Sequence, residues 1–101
     1  MVVDFQLDEQ AGCVQGHFPG APVVPGAWLL AFIDQQVRAA LPGQSVAAFG
    51  KVKFLAPLRP RQAARLVGDF GNPGKVKFEI RVDDRLVLQA SATLADTPQG
   101  D

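Results

Sequence analysis

The sequence predicts an α+β domain in which an antiparallel sheet wraps around one central buried helix. Three observations predict it. The segment Ala27 to Leu41 holds no Gly or Pro and begins apolar on every side, strands of alternating apolar and polar residues follow it, and one such strand precedes it. A helix with no polar side has to be enclosed, and a curved sheet is an element that can enclose it.

Each element follows from its residues. Val3, Phe5 and Leu7 alternate with Asp4 and Gln6, the period of a half-buried strand, and Asp8-Glu9 reads as a turn. Cys13-Val14 reads as a short second extended piece. Between Gly16 and Gly26, Pro19, Pro22 and Pro25 recur at every third position and hold the backbone extended, while Gly20 and Gly26 permit turns or a close backbone approach. Ala27 to Leu41 is rich in Leu and Ala and stops at Pro42-Gly43, as a helix of about four turns would. Its first half, Ala27 to Ile33, is expected to be buried all round.

Beyond the helix the period changes. Val52 and Phe54 alternate with Lys51 and Lys53, and Pro57 and Pro60 mark a bend or an edge. Ala64, Leu66, Gly68 and Phe70 continue the alternation up to a turn at Asn72-Pro73-Gly74. Val76, Phe78, Ile80 and Val82 alternate with Lys77, Glu79 and Arg81, and Asp83-Asp84 makes a tight hairpin into Leu86, Leu88, Ala90, Ala92 and Leu94. The order is a strand, a buried helix, then three or four antiparallel strands, which is the hot-dog architecture. Residues 1–95 are expected to form this single domain and the polar residues 96–101 to fray.

Composition narrows the function. A chain of 101 residues with 48% apolar residues can bury a core, and domains of this size gain from association, so a dimer is the expected state. Ten acidic and ten basic residues cancel, which argues against a nucleic-acid binder driven by phosphate neutralisation. The lone Cys13 cannot close a disulfide within the chain, and with His17 it supplies too few ligands for a structural zinc site; an ordinary buried cysteine is the plainer reading. No metal and no cofactor are expected. Asp4, Asp8 and Glu9 without a basic flank do not read as a signal peptide, and the apolar run Ala27 to Ile33 is too short to span a bilayer. A cytoplasmic protein that enters no membrane is the expectation.

His17 is the only histidine, so acid-base chemistry near neutral pH has to pass through it or through a strongly shifted group. A single His is often structural, but the prolines and glycines on both sides of His17 suggest a pre-organised base beside a helix start.

Gly16-His17-Phe18-Pro19-Gly20-Ala21-Pro22-Val23-Val24-Pro25-Gly26 resembles the His-Phe-Pro-Gly-x-Pro-x-x-Pro-Gly signature of the β-hydroxyacyl-acyl-carrier-protein dehydratases. Gln35 fits the same pattern, and Lys53-Phe54-Leu55-Ala56-Pro57-Leu58-Arg59-Pro60 is similar to the family's Lys/Arg-Phe-x-x-Pro-x-x-Pro segment. The likeness runs from about Asp4 to Leu94 and is nearest to the short dehydratase-like subunits of aryl polyene and related polyketide pathways. It implies a hot-dog enzyme that converts 3-hydroxyacyl thioesters on acyl carrier protein, borne on its phosphopantetheine arm, to enoyl thioesters.

The resemblance also assigns roles. His17 would be the base, and the backbone N–H of Gly26 would face the thioester carbonyl, helped by the helix dipole. The family's helix acid falls at Ala31, whose methyl group cannot donate a proton, and Asp34, three residues on and about 4.5 Å farther along the axis, is the candidate substitute. Phe18, Pro25, Trp28, Leu30 and Ala31 would border the substrate, although core packing also explains Trp28 and Leu30. Lys53, Arg59 and Arg61, with Lys51 and Arg65, would dock the acidic carrier protein or would simply form a solvated face.

Because family sites draw their histidine and carboxylate from neighbouring subunits, a chain with His17 and Ala31 suits either a homodimer or a heterodimer with a second hot-dog subunit that supplies the acid. Two rivals stand beside the dehydratase. One is a non-catalytic acyl-binding or partner subunit, and the other is a thioesterase on the same fold, in which Asp34 would direct water.

Overall fold

A computed structural model describes residues 1–7, 24–72 and 75–97. The elements run β1 (Val2–Phe5), α1 (Gly26–Ala40), β2 (Gln44–Phe54), β3 (Ala64–Asn72), β4 (Lys75–Val82) and β5 (Arg85–Asp96). The five strands form one antiparallel sheet in the order β1-β3-β4-β5-β2. The expected turn at Asp8-Glu9, the Cys13-Val14 piece, and Pro73 and Gly74 lie outside the described residues.

Alternation decides which face of the sheet is covered. On β4, Val76, Phe78 and Ile80 are buried while Lys75 and Lys77 are exposed, and β3 and β5 add Leu66, Leu88, Ala90 and Ala92 to the same core. Leu29, Ile33 and Val37 of α1, spaced one turn apart, join this cluster. Gly68 of β3 stands opposite Phe78, and a Cβ there would lie 3.1 Å from the Phe78 ring and from the Met1 side chain, so a glycine gives the ring its place.

The sheet curves because β2 is bulged against β5 at two places, between Val46 and Ala48 and between Phe49 and Val52. Extra residues on one strand bend it and increase its twist, which lets β2 wrap the side of α1. The turn from α1 into β2 is a local matter. Gln44 N–H donates to the Leu41 carbonyl at 2.9 Å across Pro42 and Gly43, and the φ of +88° at Gly43 completes a type II turn that ends the helix where Pro42-Gly43 predicts.

Four expectations change. The helix starts one residue early at Gly26 and ends at Ala40, with Leu41 as its cap. It is not enclosed on every side: Ala27 and Ala31 are exposed, because the sheet covers one stripe and no second layer among the described residues covers the other. Phe54 lies on the same face as Val52, opposite the buried Leu88, but at the end of β2 it is 54% exposed. Asp96 belongs to β5, paired with Gln44, and the adjoining Thr97 N–H donates to the Gly43 carbonyl; residues 98–101 of the expected tail lie outside the described residues.

Candidate active site

The residues leading into α1 are fastened through the backbone to the chain beyond β2, and that chain to β5. Val24 N–H donates to the Leu58 carbonyl at 2.8 Å, with both residues buried, and Leu55 and Ala56 N–H both donate to the Val87 carbonyl at 2.8 and 3.3 Å. Pro25 is the N-cap of α1, in an extended conformation with no side-chain cap, and its carbonyl accepts from Trp28 and Leu29. The N–H groups of Gly26 and Ala27 are left with no acceptor among the described residues. Donors at the positive end of a helix dipole suit a group on which negative charge develops.

Gly26 is in close contact with an aromatic ring. The Phe54 ring lies over it, and a Cβ at Gly26 would fall 2.6 and 2.8 Å from two carbons of the ring. The sequence reading gave Phe54 no role at the site; the signal available was its place in the Lys53-Phe54-Leu55 segment.

Farther along α1, Ala31 is exposed and carries no polar group, while Trp28 stacks on Phe32 at 5.3 Å and Phe32 meets Phe5 of β1 at 4.4 Å. Trp28 and Leu30 are half-buried and pack against the core. Asp34 is held by two hydrogen bonds: Oδ1 accepts from the Val46 N–H at 2.8 Å and Oδ2 accepts from Arg38 Nε at 2.9 Å. Val46 N–H lies beside the first bulge of β2, so Asp34 supplies an acceptor where the ladder is irregular and ties α1 to that strand.

The expected basic cluster is divided by the sheet order. Arg65 on β3 is bonded to Asp4 of β1 at 2.7 Å, and this hydrogen bond holds the Asp4 carboxyl below the usual carboxylate range. Lys51 and Lys53 instead join Lys75 and Lys77 along a groove of about 750 Å³ on the sheet face turned away from the core. Arg59 and Arg61 sit in the β2–β3 connection, where Arg59 N–H donates to Gln62 Oε1, and Arg61 pairs through its backbone with Leu7 and Gln6. No cluster of three potential metal ligands occurs among the described residues, nor does any helix there have the length and apolarity to cross a membrane. His17 and Phe18, like Cys13, lie outside the described residues.

Residues 1–92 match the model of a family described as ApeI-like, ApeI dehydratase. A 3-hydroxyacyl-[acyl-carrier-protein] dehydratase FabZ of Rhizorhabdus wittichii is 32% identical over 100 residues, covering 83% of this chain and 64% of the relative. One from Protochlamydia amoebophila is 31% identical over 87 residues, covering 75% and 56%. The chain thus spans 56 to 64% of the length of these curated relatives. Among solved structures, the dehydratase heterocomplex ApeI:P from Xenorhabdus doucetiae superposes with a TM-score of 0.79 at 25% identity, over 93% of this chain and 85% of that one. The sheet wrapped on α1 is a hot-dog fold, and the chain belongs to the ApeI-like dehydratase family.

Proposed function

We propose that this chain dehydrates 3-hydroxyacyl thioesters carried by acyl carrier protein to trans-2-enoyl thioesters, as one half of a hot-dog heterodimer working in the cytoplasm. Ala31 carries the heterodimer reading: it stands at the family's acid position, exposed on the open side of α1, where a neighbouring subunit can approach. In this reading His17 removes the proton on C2, and the negative charge that moves onto the thioester oxygen is met by the Gly26 N–H. As the C2=C3 bond forms, the C3–O bond breaks and the hydroxyl leaves as water with a proton from the partner subunit's carboxylic acid. His17 is then protonated and the partner's acid is a carboxylate, and a proton transfer between them or through solvent restores both.

Asp34 is a poor alternative acid, because both of its oxygens accept hydrogen bonds that hold α1 on β2. Carrier docking through Lys53, Arg59 and Arg61 belongs to the same proposal; Lys53 is the one of the three on the lysine-lined groove. The reaction needs neither metal nor cofactor.

The test is incubation of the purified chain, alone and with a second hot-dog subunit, with a 3-hydroxyacyl carrier-protein thioester. Enoyl product only in the mixture, lost on His17→Ala, is the expected result. Full turnover by the chain alone would remove the heterodimer from the proposal, and free acid would indicate a thioesterase. The exposed Ala31 also favours a second reading, a non-catalytic subunit, which predicts binding of the thioester with no product.

A further inference from the structure

We infer that Phe54 sets the substrate selectivity of this site by excluding branches at the carbon next to the thioester carbonyl. The inference rests on the reading of Gly26 as carbonyl donor. Phe54 is the last residue of β2, and the backbone beyond it is fixed by the hydrogen bonds of Leu55 and Ala56 N–H to the Val87 carbonyl. Its ring lies on the backbone of Gly26 so closely that a Cβ there would come within 2.6, 2.8 and 3.3 Å of three ring carbons. The ring is nevertheless 54% exposed, and Leu55 beside it is 53% exposed. An exposed ring resting on a glycine backbone is a wall whose free side faces whatever approaches the helix end.

The consequence follows from where the donor is. Gly26 N–H has no acceptor among the described residues, and the ring occupies the space beside that same residue's Cα. A carbonyl oxygen that accepts from Gly26 brings its neighbouring carbon within contact range of the ring. A methylene at that carbon packs against the aromatic face; a methyl branch meets it. Excluding one methyl group in a rigid apolar site is worth on the order of tenfold to two-hundredfold in selectivity. The glycine and the phenylalanine therefore act as one device: Gly26 lets the ring in, and the ring limits the acyl group.

The experiment compares straight-chain and 2-methyl-branched 3-hydroxyacyl pantetheine thioesters with the full chain, in complex with its partner subunit, for the wild type, Phe54→Leu and Phe54→Ala. Both turnover and equilibrium binding are measured. The wild type is expected to favour the straight chain at least about tenfold, and Phe54→Ala to lose most of that ratio through a lower KM for the branched substrate, with Phe54→Leu between them. A ratio unchanged in Phe54→Ala, including the case in which the variant only impairs subunit association, would overturn the inference and leave the proposed function standing. Binding selectivity that depends on Phe54 in a protein forming no enoyl product would sustain the inference and refute dehydration. Failure of the wild type to bind either thioester would refute both. Gly26→Ala supplies an independent check: it should clash with the ring, and Phe54→Ala in the same chain should restore part of the lost melting temperature. Strictly additive losses would show that the two residues are not coupled.

Discussion

Leu29, Ile33 and Val37 on one side of α1 are 2, 0 and 0% exposed, whereas Ala27, Ala31 and Gln35, at the same four-residue spacing on another side, face solvent. The first stripe carries volume and fills the concave side of the sheet. The second carries methyl groups, or an amide at Gln35, and leaves the helix backbone close to whatever lies alongside. Hydropathy does not separate the two stripes at their first positions, since Leu and Ala are both apolar. Size does, and it separates a stripe made for packing within one chain from one suited to an approach from outside.

The largest effect should come from the thin stripe. Under the proposed function, Ala31→Glu supplies the carboxyl group that the chain lacks and should give dehydration without a partner, a gain of about a hundredfold to ten-thousandfold. Because Ala31 is exposed, stability should move by no more than about 0.5 kcal/mol. Enoyl formation from a 3-hydroxyacyl thioester, followed with and without the second subunit, checks it; no gain in the isolated chain would break the division of roles between the stripes.

On the thick stripe the effect is on folding. Ile33→Ala removes a wholly buried side chain from the centre of the core and should destabilise the protein by about 2–5 kcal/mol. In thermal unfolding each kcal/mol corresponds to roughly 4–8 °C for a domain of this size. A small shift would mean that α1 packs less tightly on the sheet than its burial implies.

Asp34 lies between the stripes and sharpens the comparison. Asp34→Ala leaves the part-buried Val46 N–H without its acceptor and breaks the bond to Arg38, and should cost about 1.5–3 kcal/mol. Turnover per folded molecule, measured with the partner present, should stay the same. The opposite outcome, wild-type stability in urea with turnover reduced a hundredfold or more, would return Asp34 to the role of acid.

The elements themselves were legible because their signals are local. Pro42-Gly43 ends α1, Asp83-Asp84 forms a two-residue hairpin between the paired Val82 and Arg85, and the alternation on β4 appears directly as burial. What escaped depends on pairing between distant segments. Val87 is the extra residue of a bulge between Ile80 and Arg81 of β4, so it is buried next to Leu88 in place of alternating with it. The role of Asp34 appears only once Val46 is brought beside it, and the grouping of Lys51 and Lys53 with Lys75 and Lys77 only once β5 is known to separate β2 from β4. At the candidate site, the motif pointed to Gly26 and to the gap at Ala31. The ring that explains the glycine comes from a strand that ends 28 residues later, and its meeting with the helix start shows only when the two segments are brought together.

The smallest effect should come from the far edge of the sheet, where Asp4 and Arg65 join β1 to β3. Their bond is short, with Arg65 Nε 2.7 Å from Asp4 Oδ1 and Nη2 3.3 Å from Oδ2, but both side chains are more than half exposed, so solvent screens most of its value. Arg65 depresses the folded-state pKa of Asp4 through the hydrogen bond first and its charge after that. A carboxyl group with a depressed folded-state pKa stabilises the fold above its unfolded pKa, near 3.9, and loses that contribution as pH falls through the folded value. Asp4→Asn should therefore lower the melting temperature slightly at neutral pH and make no difference in strong acid, where the wild-type carboxyl is protonated too. Added salt should shrink the neutral-pH difference. A difference that persisted in acid would mean that Asp4 holds β1 by shape or hydrogen bonding and not by charge, and would make this edge, like the buried stripe of α1, a matter of packing.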